Sequence, residues 1–263
     1  EAMGEAGATN TAAMVFAGTP PITNKTEVYN GSSFTESNDL NTPARENAGF
    51  GTTTAAVNAA GEGPGANQAD AEKWDGTSWT ATNDVNTARR RLCGGGTQTS
   101  GLIFGGYSTA DSADTETFDG TSWTEVSNLN TARDQLSGAT LGSSTSALAF
   151  AGYTTTNLAN TESWDGTSWT EVNDLNTARR NCGGSGDKTG ALAFGGYTTT
   201  NVANTESWNG TSWTEVNDLS IARNTMGHAG AAVSSIAMGG STGPNAVSEE
   251  FTASAAVSTV TTS

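Results

Sequence analysis

Basic residues are scarce in this chain. Its 263 residues hold eleven Lys and Arg against 27 Asp and Glu, for a formal net charge of −16. Too few cations exist to build the patch that neutralises a row of phosphates, so nucleic acid is excluded as an expected partner. The same shortage removes attraction to an anionic membrane surface. No apolar run approaches the length of a bilayer span, so membrane insertion is not expected.

Histidine and cysteine are nearly absent. One imidazole, His228, cannot assemble a transition-metal site and offers only a single Ser-His-Asp combination, so no metal, no cofactor and no enzyme activity are expected. The two thiols, Cys93 and Cys182, fall in different repeats that are not neighbours. Aligned on the preceding Arg, Cys182 takes the place of Leu92, Leu136, Met226 and Ala48, and Cys93 takes the next position. Successive strand residues face opposite ways, which argues against a disulfide and leaves Cys182 as a small buried hydrophobe.

The chain has repetition instead. The phrase Trp164 to Arg179 returns at Trp208 to Arg223, and in looser form at Trp74 to Arg89, Phe118 to Arg133 and Tyr29 to Arg45. Registered on Glu27, Glu72, Glu116, Glu162, Glu206 and Glu249, the spacing is 45, 44, 46, 44 and 43 residues. Between Thr154–Ala178 and Thr198–Ala222, 21 of 25 positions are identical, a mark of duplication or copying. Each unit reads as four strands: a Gly-rich strand a, an apolar strand b such as Ala191–Phe194 ending in Gly195-Gly196, strand c with the Glu and the first aromatic, and strand d with the second aromatic. Asn209-Gly210 and its Asp-Gly equivalents between c and d predict two-residue hairpin turns with both residues at positive φ. All seven Trp stand on the two aromatic positions and are assigned to packing between units.

Four short strands every 43–46 residues predict an all-β, six-bladed β-propeller with four antiparallel strands per blade. The blades are expected at 1–45, 46–89, 90–133, 134–179, 180–223 and 224–263, filling the chain as one domain. The Gly doublet, Glu-x-aromatic-Asp/Asn, Trp, and Leu-x-Thr-Ala-Arg together resemble the kelch repeat. Departures are Ala17-Gly18, Ala60-Gly61 and Ala151-Gly152 at the doublet, Phe34 at the second aromatic, and Val257 and Val260 in its place in the last unit. A copper oxidase belongs to the kelch-like propellers, but the His and Tyr ligand cluster its chemistry needs has no counterpart here. Similar Thr/Ser/Asn-rich repeats resemble those of kelch-like bacteriophage structural proteins, which implies a virion or extracellular location. The chain starts on the boundary of a unit, and a processed or excised piece is expected.

The repeated charges read as a frame. Glu162 shares a strand side with Trp164, and a carboxylate pointing into packing needs a partner. The Arg at the d-to-a corner is that partner, so Glu72, Glu116, Glu162 and Glu206 are expected to pair with Arg89, Arg133, Arg179 and Arg223, within or between blades; Arg45 is counted in the same column. The Asp/Asn-Gly turns (Asn30, Asp75, Asp119, Asp165, Asn209) offer one oxygen group per blade and are read as hairpin chemistry rather than calcium ligands.

The candidate ligand residues lie in the b-to-c loops. Counting back from each Glu gives Asn24, Asn67, Asp111, Asn157, Asn201 and Asn245, and Tyr107, Tyr153 and Tyr197 follow the doublets of three consecutive blades. Tyr with Asn and Thr suits protein or sugar contact, while Asn and Asp alone also shape turns. The function expected is a non-enzymatic structural or adhesion module whose partners are other subunits of an assembly or surface glycans. The alternatives are a lectin-like carbohydrate-binding propeller and, further off, a carbohydrate-active enzyme, for which no pair of non-repeated acids stands out.

Overall fold

A computed structural model describes residues 3–241 and 247–252. It is all β, a six-bladed propeller whose blades are antiparallel sheets in simple chain order. Blade four runs Ser137–Ala139, Ala147–Phe150, Thr161–Trp164 and Trp169–Val172 as strands a to d. Blade six is described through three strands, Gly227–Ala231, Ser234–Met238 and Ser248–Thr252. The expected fourth strand, with Val257 and Val260, and the candidate Asn245 fall outside the described residues.

The six a strands stand around the axis, each touching the next, and strand a of blade six touches that of blade one, so the ring closes. Glycine permits this crowding: a Cβ built on Gly184 would sit 2.4 Å from the Gly138 carbonyl of the neighbouring blade. Outside the a strands the blades interlock through aromatics. Trp169 meets Trp164 of its own blade at 5.3 Å and Phe104 of the preceding blade at 4.9 Å. Trp213 does the same with Trp208 and Phe150. Its indole N–H and that of Trp169 donate to Thr161 and Thr115 of the preceding blade, so the one polar atom of each ring is satisfied where it is buried.

Two expectations need correction. The hairpin between c and d is shifted by one residue: Trp74 pairs directly with Trp79, the Asp75 N–H donates to the Ser78 carbonyl, and Gly76 alone takes positive φ (95°). Gly76 and Thr77 are therefore the central pair, with glycine first as a type II′ turn requires. Asp75 precedes them, and its Oδ1 accepts the Thr77 and Ser78 N–H groups at 2.8 Å, which holds its carboxyl below the usual range. Secondly, Arg45 does not belong to the buried arginine column. Counted from Leu40, Ala44 stands where Arg89, Arg133, Arg179 and Arg223 stand, and it is buried. The β-ladders agree, because Ala48 pairs Ala59 as Cys93 pairs Phe104. Asn47, not Ala48, then occupies the place of Leu92 and Cys182. Pro43 stands where Ala88 and Ala132 stand, so the phrase Leu-Asn-Thr-Pro-Ala-Arg only looks like Leu-Asn-Thr-Ala-Arg with an insertion, and an alignment made on Arg slips by one residue.

Candidate functional site at the channel mouth

The segment leaving each blade grips the next one. Asn130 donates from its backbone N–H and its Nδ2 to Glu162 Oε2, at 2.7 and 2.9 Å, and its Nδ2 also reaches the Trp169 carbonyl. Arg133 Nη1 reaches Glu162 Oε1 at 2.7 Å, and Nη2 the Ala149 carbonyl. The same grip joins Asn86 and Arg89 to Glu116, Asn176 and Arg179 to Glu206, and Ser220 and Arg223 to Glu249. Glu72 is buried too, but its donors are Asn41 and Thr42 alone, because Ala44 brings no guanidinium. Glu27 is exposed. The Leu-Asn-Thr-Ala-Arg phrase is thus a clamp between consecutive blades.

With the shared residues engaged in this way, positions that differ between repeats are left on the surface, and one set of them rings the mouth of the channel. The d-to-a and b-to-c connections emerge there, around the mouth of the channel. Nearest the axis stand Glu46, Arg91, Gln135, Asn181 and Thr225, one per blade, all with φ between 47° and 56°. Left-handed backbone is costly for such residues, yet five successive blades adopt it. The reason is a backbone chain from blade to blade: the N–H groups of Arg91, Gln135, Asn181 and Thr225 donate to the carbonyls of Glu46, Arg91, Gln135 and Asn181 in turn. Identical backbones therefore present five different side chains into a cavity of about 110 Å³ at the mouth. The sequence reading missed this set, although the signal was available as the most variable position following the clamp.

One step outwards are Arg45, Arg90, Asp134, Arg180 and Asn224. Each forms a β-bridge with the residue after the doublet of its blade: Glu62, Tyr107, Tyr153, Tyr197 and Ser241. The expected tyrosines thus form part of one arc, half-buried. Asn157 and Asn201 span blades, with Nδ2 donating to the Tyr197 and Thr198 carbonyls and to the Ser241 carbonyl. Asn67 does the same to Tyr107 and Ser108. Asp111 occupies the equivalent place but has no N–H to give, and burial, with help from Asp134, pushes its carboxyl up. Asn24 is out of register with this set and donates to Leu40 of its own blade.

Charge is unevenly spread over the face. On blades one to four Arg45 meets Glu62, Arg90 meets Glu62 and Glu46, and Arg91 joins Glu46 to Asp134, all within 3.4 Å. Farther round, Arg180 packs against two phenol rings, 4.4 Å from the centre of Tyr153 and 4.8 Å from that of Tyr197. Below the mouth, Glu5 and His228 face each other across the junction of blades one and six, Nε2 to Oε1 3.2 Å. Burial pushes Glu5 up to about 8 and His228 down to about 4. Among the described residues no cluster of three or more His, Cys, Asp or Glu side chains is placed to hold a metal ion. Among the described residues no helix is long and apolar enough to cross a membrane. No protein-family model matches this chain, and no curated protein matches it.

Proposed function

We propose that the chain is a non-enzymatic recognition module, a kelch-like propeller that presents its channel-mouth face to other molecules as part of a virion or another extracellular surface structure. The observation that carries this reading is a division of labour. Residues shared by the repeats are consumed by clamps, turns and blade packing, whereas the five residues nearest the axis at the mouth all differ and line one cavity. A shared residue that already has its partner inside the ring has little to offer a ligand, and variable polar residues on a rigid frame are the usual material of a binding surface. Tyrosine, arginine and asparagine on that face suit a polar partner with many modest contacts. The kelch-like order of the repeat and its Thr/Ser/Asn-rich style support the placement at a surface.

A glycan is the occupant that the tyrosine arc favours over a protein subunit. Among the described residues Val233 is the only large hydrophobic side chain that is well exposed, and it lies in an a-to-b turn on the opposite side. An apolar anchor for a protein partner is thus wanting at the mouth. The test is a glycan array probed with the wild type, with Tyr107→Ala and Tyr197→Ala, and with the underside variants Asp75→Asn and Asp119→Asn. Binding that is lost on the tyrosine side and kept on the underside supports the reading. Binding indifferent to the tyrosine substitutions contradicts it.

A further inference from the structure

The face contains two copies of one arginine site, and they differ in a single respect. Arg90 and Arg180 hold equivalent positions two blades apart. Each bridges the residue after its own doublet, Tyr107 or Tyr197, and lies over that ring, at 5.4 and 4.8 Å. Each donates through Nη1 at 3.3 Å to the b-to-c asparagine of the preceding blade, Asn67 or Asn157. Around Arg90 the preceding blade supplies two carboxylates, Glu62 at 3.2 Å and Glu46 at 3.4 Å. Around Arg180 the equivalent positions hold Tyr153 and Gln135, both neutral. Gln135 is turned away, with Nε2 on Asp134 and Oε1 on Asn181.

Arg180 is therefore the one arginine without a buried neighbour's carboxylate to meet it. Among the described residues the other seven sit beside a Glu or Asp within 3.4 Å, in a chain whose acids outnumber its cations by 27 to eleven. Its guanidinium packs against two rings and is hydrogen-bonded to Asn157, contacts that reduce the rotamer freedom left to lose on binding. Its remaining N–H groups are neither hydrogen-bonded nor sealed from solvent.

We propose that Arg180, walled by Tyr153 and Tyr197, is a subsite for the carboxylate of an acidic sugar, a uronic or sialic acid residue of a glycan. This rests on the reading of the mouth as a contact surface and names the chemistry of one point on it. The Arg90 site is the template: there the chain supplies the anion itself, and at Arg180 the ligand supplies it. Thr155, Thr156, Thr199 and Thr200, which follow the two tyrosines in their loops, are exposed and offer hydroxyl groups to the sugar ring. A planar guanidinium matches a carboxylate in a two-pronged geometry that a neutral hydroxyl cannot exploit.

The test is titration, followed by saturation-transfer NMR, with glucuronate and N-acetylneuraminate, with glucose as the neutral control and a Glu-rich peptide as the acidic control. Wild type, Arg180→Gln and Tyr153→Glu are compared, each checked for an unchanged melting temperature. Tyr153→Glu rebuilds the Arg90 arrangement and fills the site from within. The proposal expects the two acidic sugars to bind, more weakly as salt rises, and glucose to be silent. Both variants should lose about tenfold or more in affinity. Equal binding of glucose and glucuronate, acidic-sugar binding untouched by either variant, no binding of either acidic sugar, or binding of the peptide alone would each overturn it. Neutral-sugar binding lost on tyrosine substitution would remove the subsite while leaving the face as the contact surface.

Discussion

Arg133 and Glu162 meet at 2.7 Å across a blade boundary, and neither side chain has any surface exposed to solvent. The arginine ends the segment leaving blade three, and the glutamate belongs to strand c of blade four. Taking both charges out of water is expensive, and the geometry offsets that cost by satisfying the carboxylate from four donors at once. This pair and its three counterparts fix the register of one blade against the next at four junctions.

Removing one partner should therefore be far worse than removing both. Arg133→Ala is expected to cost about 3–5 kcal/mol, because Glu162 is left charged and buried. Arg133→Met combined with Glu162→Gln should cost clearly less. Chemical denaturation of the three proteins gives the comparison, and a double variant as unstable as the single one would show that the ion pair is not the relevant interaction.

The first junction supplies an internal control. Glu72 has no arginine, and Ala81 stands opposite it in strand d, where Glu125, Glu171 and Glu215 stand opposite the other buried glutamates. The junction that lacks the cation also lacks the second anion. Glu72→Gln is accordingly expected to destabilise less than Glu162→Gln, since it strands no buried guanidinium. Unfolding free energies of the two variants check this, and equal losses would contradict it.

The blade count, the strand order and the pairing chemistry were legible in the sequence because repetition averages out local ambiguity. Six copies of Glu-x-aromatic fix a strand that one copy would leave open. The register of Arg45 was not legible, because Ala44-Arg45 repeats the Ala-Arg pair that ends the clamp phrase elsewhere but stands one residue later. The channel-mouth set was missed for a different reason. The left-handed backbone of Gln135 or Asn181 is imposed by a hydrogen bond to the neighbouring blade, and neither residue type announces it. Likewise, nothing in the spacing says that Arg180 packs against two rings contributed by different blades.

The Glu5–His228 pair sets a pH dependence. The folded Glu5 holds its proton up to about 8, against an ordinary value of 4.5, so its contribution to stability is complete below 4.5 and is lost as pH rises through 8. The folded His228 takes a proton only near 4, against 6.5, so its contribution is complete above 6.5 and is lost as pH falls through 4. The two slopes cancel between 4.5 and 6.5, and stability should decline from 6.5 towards 8. Melting temperatures of wild type and Glu5→Gln across that interval test the account. The variant should lose the decline, and parallel curves would count against a buried carboxyl.

The central claim is that residues shared by the repeats hold the ring, while residues that differ are free to serve recognition. A saturation scan of the whole chain with resistance to proteolysis as the readout measures this directly. The account predicts intolerance at Glu116, Glu162, Glu206, Arg89, Arg133 and Arg179, and broad tolerance at Tyr153, Arg180, Gln135 and Asn181, with glycine accepted at the last two because their φ is 52°. Mouth positions as intolerant as the clamps would contradict it.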